Sequence, residues 1–320
     1  MGEEASKVPI NKRNNIRGNE VSLDELIEIL AERKGNLIFR GQSDSEWGLV
    51  PAGFREKDES LISDLQSAIE EGMTELKELD GDVEGVSGSS IIYGKNMINK
   101  SVMLFYLMAS RQGLDLPSVN VVNDYFINPN GFIISGQSVD CTTFSPYLEL
   151  CALAQHYGFP TYLLDWTLDP YCALYFATEG ALKKVDKMNF ENWCSKCFSV
   201  WVLDMDCFKR TDSKLKAFTF CHHSNHNLIA QRGVFTYTIR ENLDQQPGVI
   251  DAIKGDNYVD VESAVIKYDV SYKEVLNAME HLVILHKTSE VFFPGYEGVV
   301  RSMKDYAYMQ HVKRMLKFSH

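Results

Sequence analysis

Four catalytic signatures are missing from this chain. Its 320 residues contain no G-x-x-x-x-G-K-[ST], no G-x-G-x-x-G, no G-x-S-x-G and no H-E-x-x-H. Their absence removes the phosphate-cradling P-loop, the dinucleotide-binding turn, the nucleophile elbow and the helical zinc-protease site. No apolar run approaches the roughly 18 residues that a membrane span needs, and the opening MGEEASKVPINKRNN has no apolar centre of a signal peptide. The expectation is a cytosolic protein with no membrane partner. The cysteines are few and odd in number, seven, without framework spacing, which suits a reducing compartment. Internal repeats and low-complexity blocks are also missing.

What remains is ordinary globular composition, 45% hydrophobic and 24% charged, with an uneven charge. The formal net charge is −12, but eleven acidic residues against Lys57 and Lys77 fall between Glu56 and Glu84. Within that acidic stretch, Leu61, Leu65, Ile69, Met73 and Leu76 keep helical spacing. It is either a solvated helix face or a surface for a basic partner or a nucleic-acid mimic. The other end is basic: Arg301, Lys304, Lys313, Arg314 and Lys317 stand against Asp305, with Tyr308, Val312, Met315 and Leu316 available for packing.

Coarse patterning gives helices over Leu23–Glu32, Lys100–Gln112, Val119–Tyr125, Tyr147–His156 and Tyr272–His281, with a short helix or turn at Ser289–Phe293. Strands are expected at Leu37–Phe39, Thr161–Leu164, Phe198–Leu203, Val234–Ile239 and His281–Leu285. The fold class is α+β, a mixed or antiparallel central sheet with a helical insertion and a C-terminal helix. Residues 1–22 form an N-terminal extension, 23–303 the main domain with 56–145 as its insertion, and 304–320 a basic amphipathic helix.

Cys194 and Cys197 have zinc-like spacing, and Cys207, Cys221, His222, His223 and His226 follow. Only one C-x-x-C pair exists and Cys197 leads into a strand, so no metal is expected. The histidine-rich loop HHSNHNLIAQRG is better suited to lining an acceptor site.

The densest stretch is Gln155–Ala177, QHYGFPTYLLDWTLDPYCALYFA. Gly158 and Pro160 stop the helix that ends in Gln155 and His156, and an apolar strand then delivers Asp165, Trp166 and Thr167 to its C-terminal edge. Asp169 is placed as N-cap and Pro170 at the first turn of a new helix. Polar side chains at a strand-to-helix junction suit an anion such as a phosphate. Earlier in the chain, Arg40 followed by Gly41 offers a guanidinium fork with room for close approach. Arg40 is equally readable as a structural arginine paired with Asp165, and His156 as a satisfied core histidine.

These segments resemble the signature of the FRG-domain family: Phe39, Arg40, Gly41 and Gln42 with Ser43, Trp47, Leu49, Pro51 and Arg55; then QHYG to ALYFA; then Gln231, Gly233, Val234 and Phe235; and last Phe293, Pro294, Gly295 and Gly298. The resemblance spans roughly residues 23–303. The strand-hydroxyl-helix order also resembles the second motif of ADP-ribosyltransferases, and the sheet is expected to resemble their core. That likeness implies an enzyme that cleaves NAD and transfers ADP-ribose to a macromolecule, as a bacterial toxin or antiphage effector. Arg40 would then hold the nicotinamide ribose with Gly41, Gln42, His156 and Tyr157 nearby. Asp165 and Thr167 would support the nicotinamide, and Tyr157, Trp166 or Phe235 would stack on it. Gln231 or Glu297 would take the carboxylate or amide role at the ribose. RNA or single-stranded DNA is the favoured acceptor, with basic residues such as Lys183, Lys184, Lys187, Lys196, Lys209, Arg210, Lys214, Lys216 and Arg232 as its path. A neutralising antitoxin protein is expected on the acidic helix and around Val102–Tyr125. The alternative is a module that binds a nucleotide or nucleic acid without chemistry.

Overall fold

The computed structural model describes residues 9–32, 34–55, 102, 105–106, 108–117, 145–210, 212–219, 226–238 and 248–318. The acidic stretch Glu56–Glu84 with the helix expected inside it, the helix at Val119–Tyr125 and most of the 56–145 insertion lie outside these residues. So do Cys221, His222 and His223. The chain divides into two compact units. One comprises Met1–Leu49, Asp165–Thr236 and Val249–His320, and the other Val50–Leu164 and Tyr237–Gly248.

Among the described residues one mixed sheet carries seven strands in the order β1-β7-β4-β2-β3-β6-β5. They are β1 Asn19–Glu20, β2 Leu37–Gln42, β3 Leu164–Thr167, β4 Cys197–Asp204, β5 Leu215–Phe218, β6 Gly233–Thr238 and β7 Val265–Ser271. β2 pairs antiparallel with both β3 and β4, β4 pairs antiparallel with β7, and β1 joins β7 in parallel. The α+β expectation therefore stands.

Five helices matter to the site and its surroundings: α1 Leu23–Ala31, α2 Ser145–His156, α3 Pro170–Leu182, α4 Val275–Ile284 and α5 Tyr296–Phe318. α1 starts where Ser22 accepts a hydrogen bond from the Glu25 amide, an N-cap that satisfies one free donor of the first turn. α3 starts as its sequence suggests, on Asp169 with Pro170 in the first turn. It lies across one face of the sheet, burying Cys172, Leu174 and Ala177 with Phe39, Val200 and Val202 in a core that also takes in Trp193, Tyr272 and Met279. In the second unit α2 ends at His156, followed by Gly158 at φ +90°, a left-handed conformation that closes the helix cheaply only with glycine.

Several local expectations change. His281–Leu285 is not a strand: His281 to Ile284 complete α4, whose Val275, Leu276, Ala278, Met279 and Leu282 bury at helical spacing. A short apolar run such as HLVIL fits either period when taken alone. The strand expected at Thr161–Leu164 shifts to Leu164–Thr167, because the Thr161 hydroxyl donates to Gln155 at 2.5 Å and accepts the Leu163 amide, holding a turn instead. Arg40 is interior to β2 rather than at its end. β7, which had no counterpart in the sequence reading, pairs with β4 from Cys197 to Leu203. The C-terminal helix begins at Tyr296, well before residue 304. Residues set apart as an N-terminal extension also build the sheet: β1 pairs with β7, and Asn14 is fully buried with its side chain on Asp251.

Candidate functional site

The signature segments converge on one place, the turn from β3 into α3. Thr167 is its hub. Its buried hydroxyl donates to the Gln231 carbonyl at 2.6 Å and accepts the Asp169 amide at 2.9 Å, while the Leu168 amide donates to the Arg232 carbonyl. One threonine thus fastens the start of β6 to the start of α3. Arg232 takes a left-handed φ of 50° at that turn, a conformation that is costly for a residue with a side chain. The Gln231 side chain donates through Nε2 to the Phe292 carbonyl at 3.1 Å. That bond ties the third segment to the fourth. Lys287 closes the ring by pairing with the second carboxylate oxygen of Asp169, whose other oxygen caps the Tyr171 amide.

The first segment, Phe39 to Gln42, is placed by alternation along β2. Phe39 and Gly41 face α3, and Arg40 and Gln42 face the other way. Gly41 is demanded by helix packing. A methyl group there would stand 1.8 Å from the Ala173 carbonyl oxygen and 2.8 Å from the Ala177 nitrogen, so the room expected for a ligand beside Gly41 is filled by α3. Gln42 is buried and its amide is committed, accepting from the Trp201 indole at 2.8 Å and donating to the Gly48 carbonyl at 3.1 Å. Trp166 is likewise buried, its indole donating to the Thr236 hydroxyl at 2.9 Å.

Arg40 and Asp165 do meet. Nη1 of Arg40 lies 2.9 Å from the Asp165 carboxylate and donates to the Asp165 carbonyl at 2.6 Å. The two partners differ sharply in setting: the Arg40 side chain is 11% exposed and that of Asp165 62%. The Arg40 Nε–H is buried and has no hydrogen-bond partner among the described residues, an arrangement that costs the desolvation of a donor. This edge offers an exposed carboxylate beside a mostly buried guanidinium that still holds an unused donor.

His156 and Tyr157 belong to the second unit, where both are exposed and their rings stack edge to face. Glu297 sits in the first turn of α5, bonded to Arg301. It borders a cavity of about 1000 Å³ with Glu179, Lys183, Arg301, Lys304 and Tyr308, a lining that includes neither Arg40 nor Asp165. Phe235 is buried and stacked on Phe218.

Two residues of this region escaped sequence reasoning. Lys287 reaches Asp169 across 118 positions, and Trp201 reaches Gln42 across 159; neither stands in a motif. Cys172 lies directly beside the hub, yet burial pushes its thiol up to about 12, so it is inert as a nucleophile at neutral pH. Among the described residues no group of three or more histidine, cysteine or acidic side chains is placed to hold a metal. None of the described helices is long and apolar enough to cross a membrane.

Fold and junction together define a mixed α+β domain organised around a strand-to-helix turn. The family model described as the FRG domain matches residues 135–186. That segment includes α2, β3 and the whole of the packed helix α3. No curated protein and no solved structure matches the chain significantly.

Proposed function

We propose that the Arg40–Asp165 edge is the reactive site of an NAD-dependent ADP-ribosyltransferase acting on a macromolecule in a toxin or antiphage role. The observation that carries this reading is the mostly buried Arg40 guanidinium held by the exposed Asp165 carboxylate, on the central strands β2 and β3 that lead to the turn where signature segments meet. A guanidinium in that position can donate to a ribose hydroxyl or a phosphate oxygen. The neighbouring carboxylate can stabilise positive charge as the bond between ribose C1′ and the nicotinamide nitrogen breaks. The acceptor then forms the new bond to C1′ and loses its proton to solvent, and nicotinamide leaves as the neutral base. Thr167, Gln42 and Gly41 act as positioning residues in this reading, since their hydrogen bonds or space are used within the protein.

The same commitments favour a second reading, a nucleotide-binding module without chemistry. Incubation with NAD and a cell extract separates the two. The transferase releases nicotinamide and labels a macromolecule; the module binds NAD or a nucleotide and releases nothing. Absence of nicotinamide release from wild-type protein, with no inhibitor protein present, overturns the first reading.

A further inference from the structure

The turn that closes the short helix His226–Ala230 puts its strain on an arginine. The Gln231 amide donates to the Asn227 carbonyl at 2.9 Å and the Arg232 amide to the Ile229 carbonyl at 3.0 Å, which ends the helix with Arg232 at φ 50°. Glycine or asparagine ordinarily takes that left-handed place, because a Cβ crowds the backbone there. A glycine does follow, but at position 233, where it serves packing: a methyl group there would stand 2.1 Å from the Leu228 side chain. An arginine kept where glycine would relieve the turn is the kind of outlier that marks a functional side chain.

Its surroundings indicate the use. Arg232 is exposed, and its guanidinium makes no hydrogen bond or ion pair with a described residue. The other charges of the junction are matched, Arg40 with Asp165 and Lys287 with Asp169. Asp169 also caps the Tyr171 amide, so the end of α3 where an anion was expected is already occupied by a carboxylate of the chain itself. The backbone of Arg232 is fixed in the same place. Its carbonyl accepts from the Leu168 amide at 3.0 Å, and the Gln231 carbonyl accepts from Thr167 at 2.6 Å. Leu168 stands three residues after Asp165, no more than about 11 Å along the chain. An unmatched guanidinium on a pinned turn suits a phosphate, which accepts two parallel N–H groups from one arginine.

We propose that Arg232 binds the diphosphate of the nucleotide whose ribose lies against Arg40 and Asp165. This assignment rests on the reading of that pair as a nucleotide site, but on no chemistry there.

Isothermal titration calorimetry with ADP-ribose, which has no nicotinamide bond to break, tests it alongside thermal unfolding. Glycine suits the turn better than arginine does, so Arg232→Gly keeps any purely structural role of the position. That variant is expected to melt higher than wild type and to bind ADP-ribose about tenfold more weakly, the loss of one charge-assisted hydrogen-bonding group. Arg232→Lys keeps the charge without the planar fork and is expected to fall between the two in affinity. Undiminished binding by Arg232→Gly overturns the proposal, as does an Arg232→Gly variant that binds weakly but also melts lower than wild type. Arg232→Lys binding no better than Arg232→Gly, or a wild type that binds no ADP-ribose, overturns it too. A wild type that binds ADP-ribose through Arg232 yet releases no nicotinamide from NAD would remove the transferase reading alone.

Discussion

At Arg40 the consequences of a substitution depend on which partner keeps its water. Asp165 is mostly solvated, so removing Arg40 strands no buried charge. Removing Asp165 leaves a mostly buried guanidinium with only a carbonyl. Breaking a buried pair is costly because of the charge left behind, while an apolar side chain of similar volume is often neutral. Arg40→Met is therefore expected to change stability by no more than about 1 kcal/mol in urea titration while abolishing nicotinamide release. A variant that keeps full activity would remove Arg40 from the site. Gly41→Ala is expected to be worse for the fold than either, since its methyl group would overlap the Ala173 carbonyl. Overpacking of this kind costs about 1–3 kcal/mol, occasionally more, and equilibrium unfolding would show it as a lower denaturant midpoint. The sequence made the glycine visible but not its reason. "Room beside a backbone" reads the same whether a ligand or a helix fills it, and only the seating of α3 on β2 decides.

For the elements, the turn from β3 to α3 is held by side-chain bonds that span the chain. Thr167→Val keeps the shape and removes both a donor and an acceptor, leaving the part-buried Gln231 carbonyl and the buried Asp169 amide without their partner. The expected loss is about 1–3 kcal/mol, with Thr167→Ser largely restoring it; equal stability of all three proteins would contradict this assignment. α5 is docked by a titratable group. Burial raises the Asp305 carboxyl above its ordinary range, so the folded state holds its proton more tightly than the unfolded chain. The stability this contributes is fully present below the ordinary carboxylate range and is lost as pH rises through the raised folded value. Asp305→Asn cannot titrate. Unfolding free energies of Asp305→Asn relative to wild type are thus expected to move in favour of the variant between acidic and neutral pH. A constant difference would show that the raised value has no thermodynamic weight. These elements were unevenly legible. A cap announced α3 because Asp169 precedes a helical run, whereas the Ser22 cap of α1 appears only in the structure. β7 was silent because its exposed or half-buried Ile266, Tyr268 and Asp269 and its buried Lys267 break the alternation of a half-buried strand. Lys267 is instead kept by long-range partners, Asn15 and Ser45, that no local window contains.

Over the whole molecule, the path proposed for a nucleic-acid acceptor must be weighed by how many of its cations are already neutralised. Lys183 pairs with Glu179, Lys184 with Asp44, Lys196 with Glu46, Lys209 with Asp206 and Arg210 with Asp212. Lys184 also donates to the Ser43 carbonyl and lies 4.5 Å from the Trp47 ring centroid. A phosphate can recruit such a residue only by displacing its carboxylate, which cancels much of the gain from counterion release. Each phosphate contact to a single strand contributes about −0.7 to the slope of log affinity against log salt, so a path of nine free cations would give a slope near −6. With so many cations paired in advance, binding of single-stranded RNA is expected to show a slope no steeper than about −2, equivalent to about three phosphates. Fluorescence anisotropy between low and physiological salt measures it. A slope near −6 would mean that the ion pairs open on binding, and Asp44→Asn or Glu46→Gln would then steepen nothing further. If instead the pairs hold, freeing Lys184 by Asp44→Asn is expected to add close to one phosphate contact to the slope.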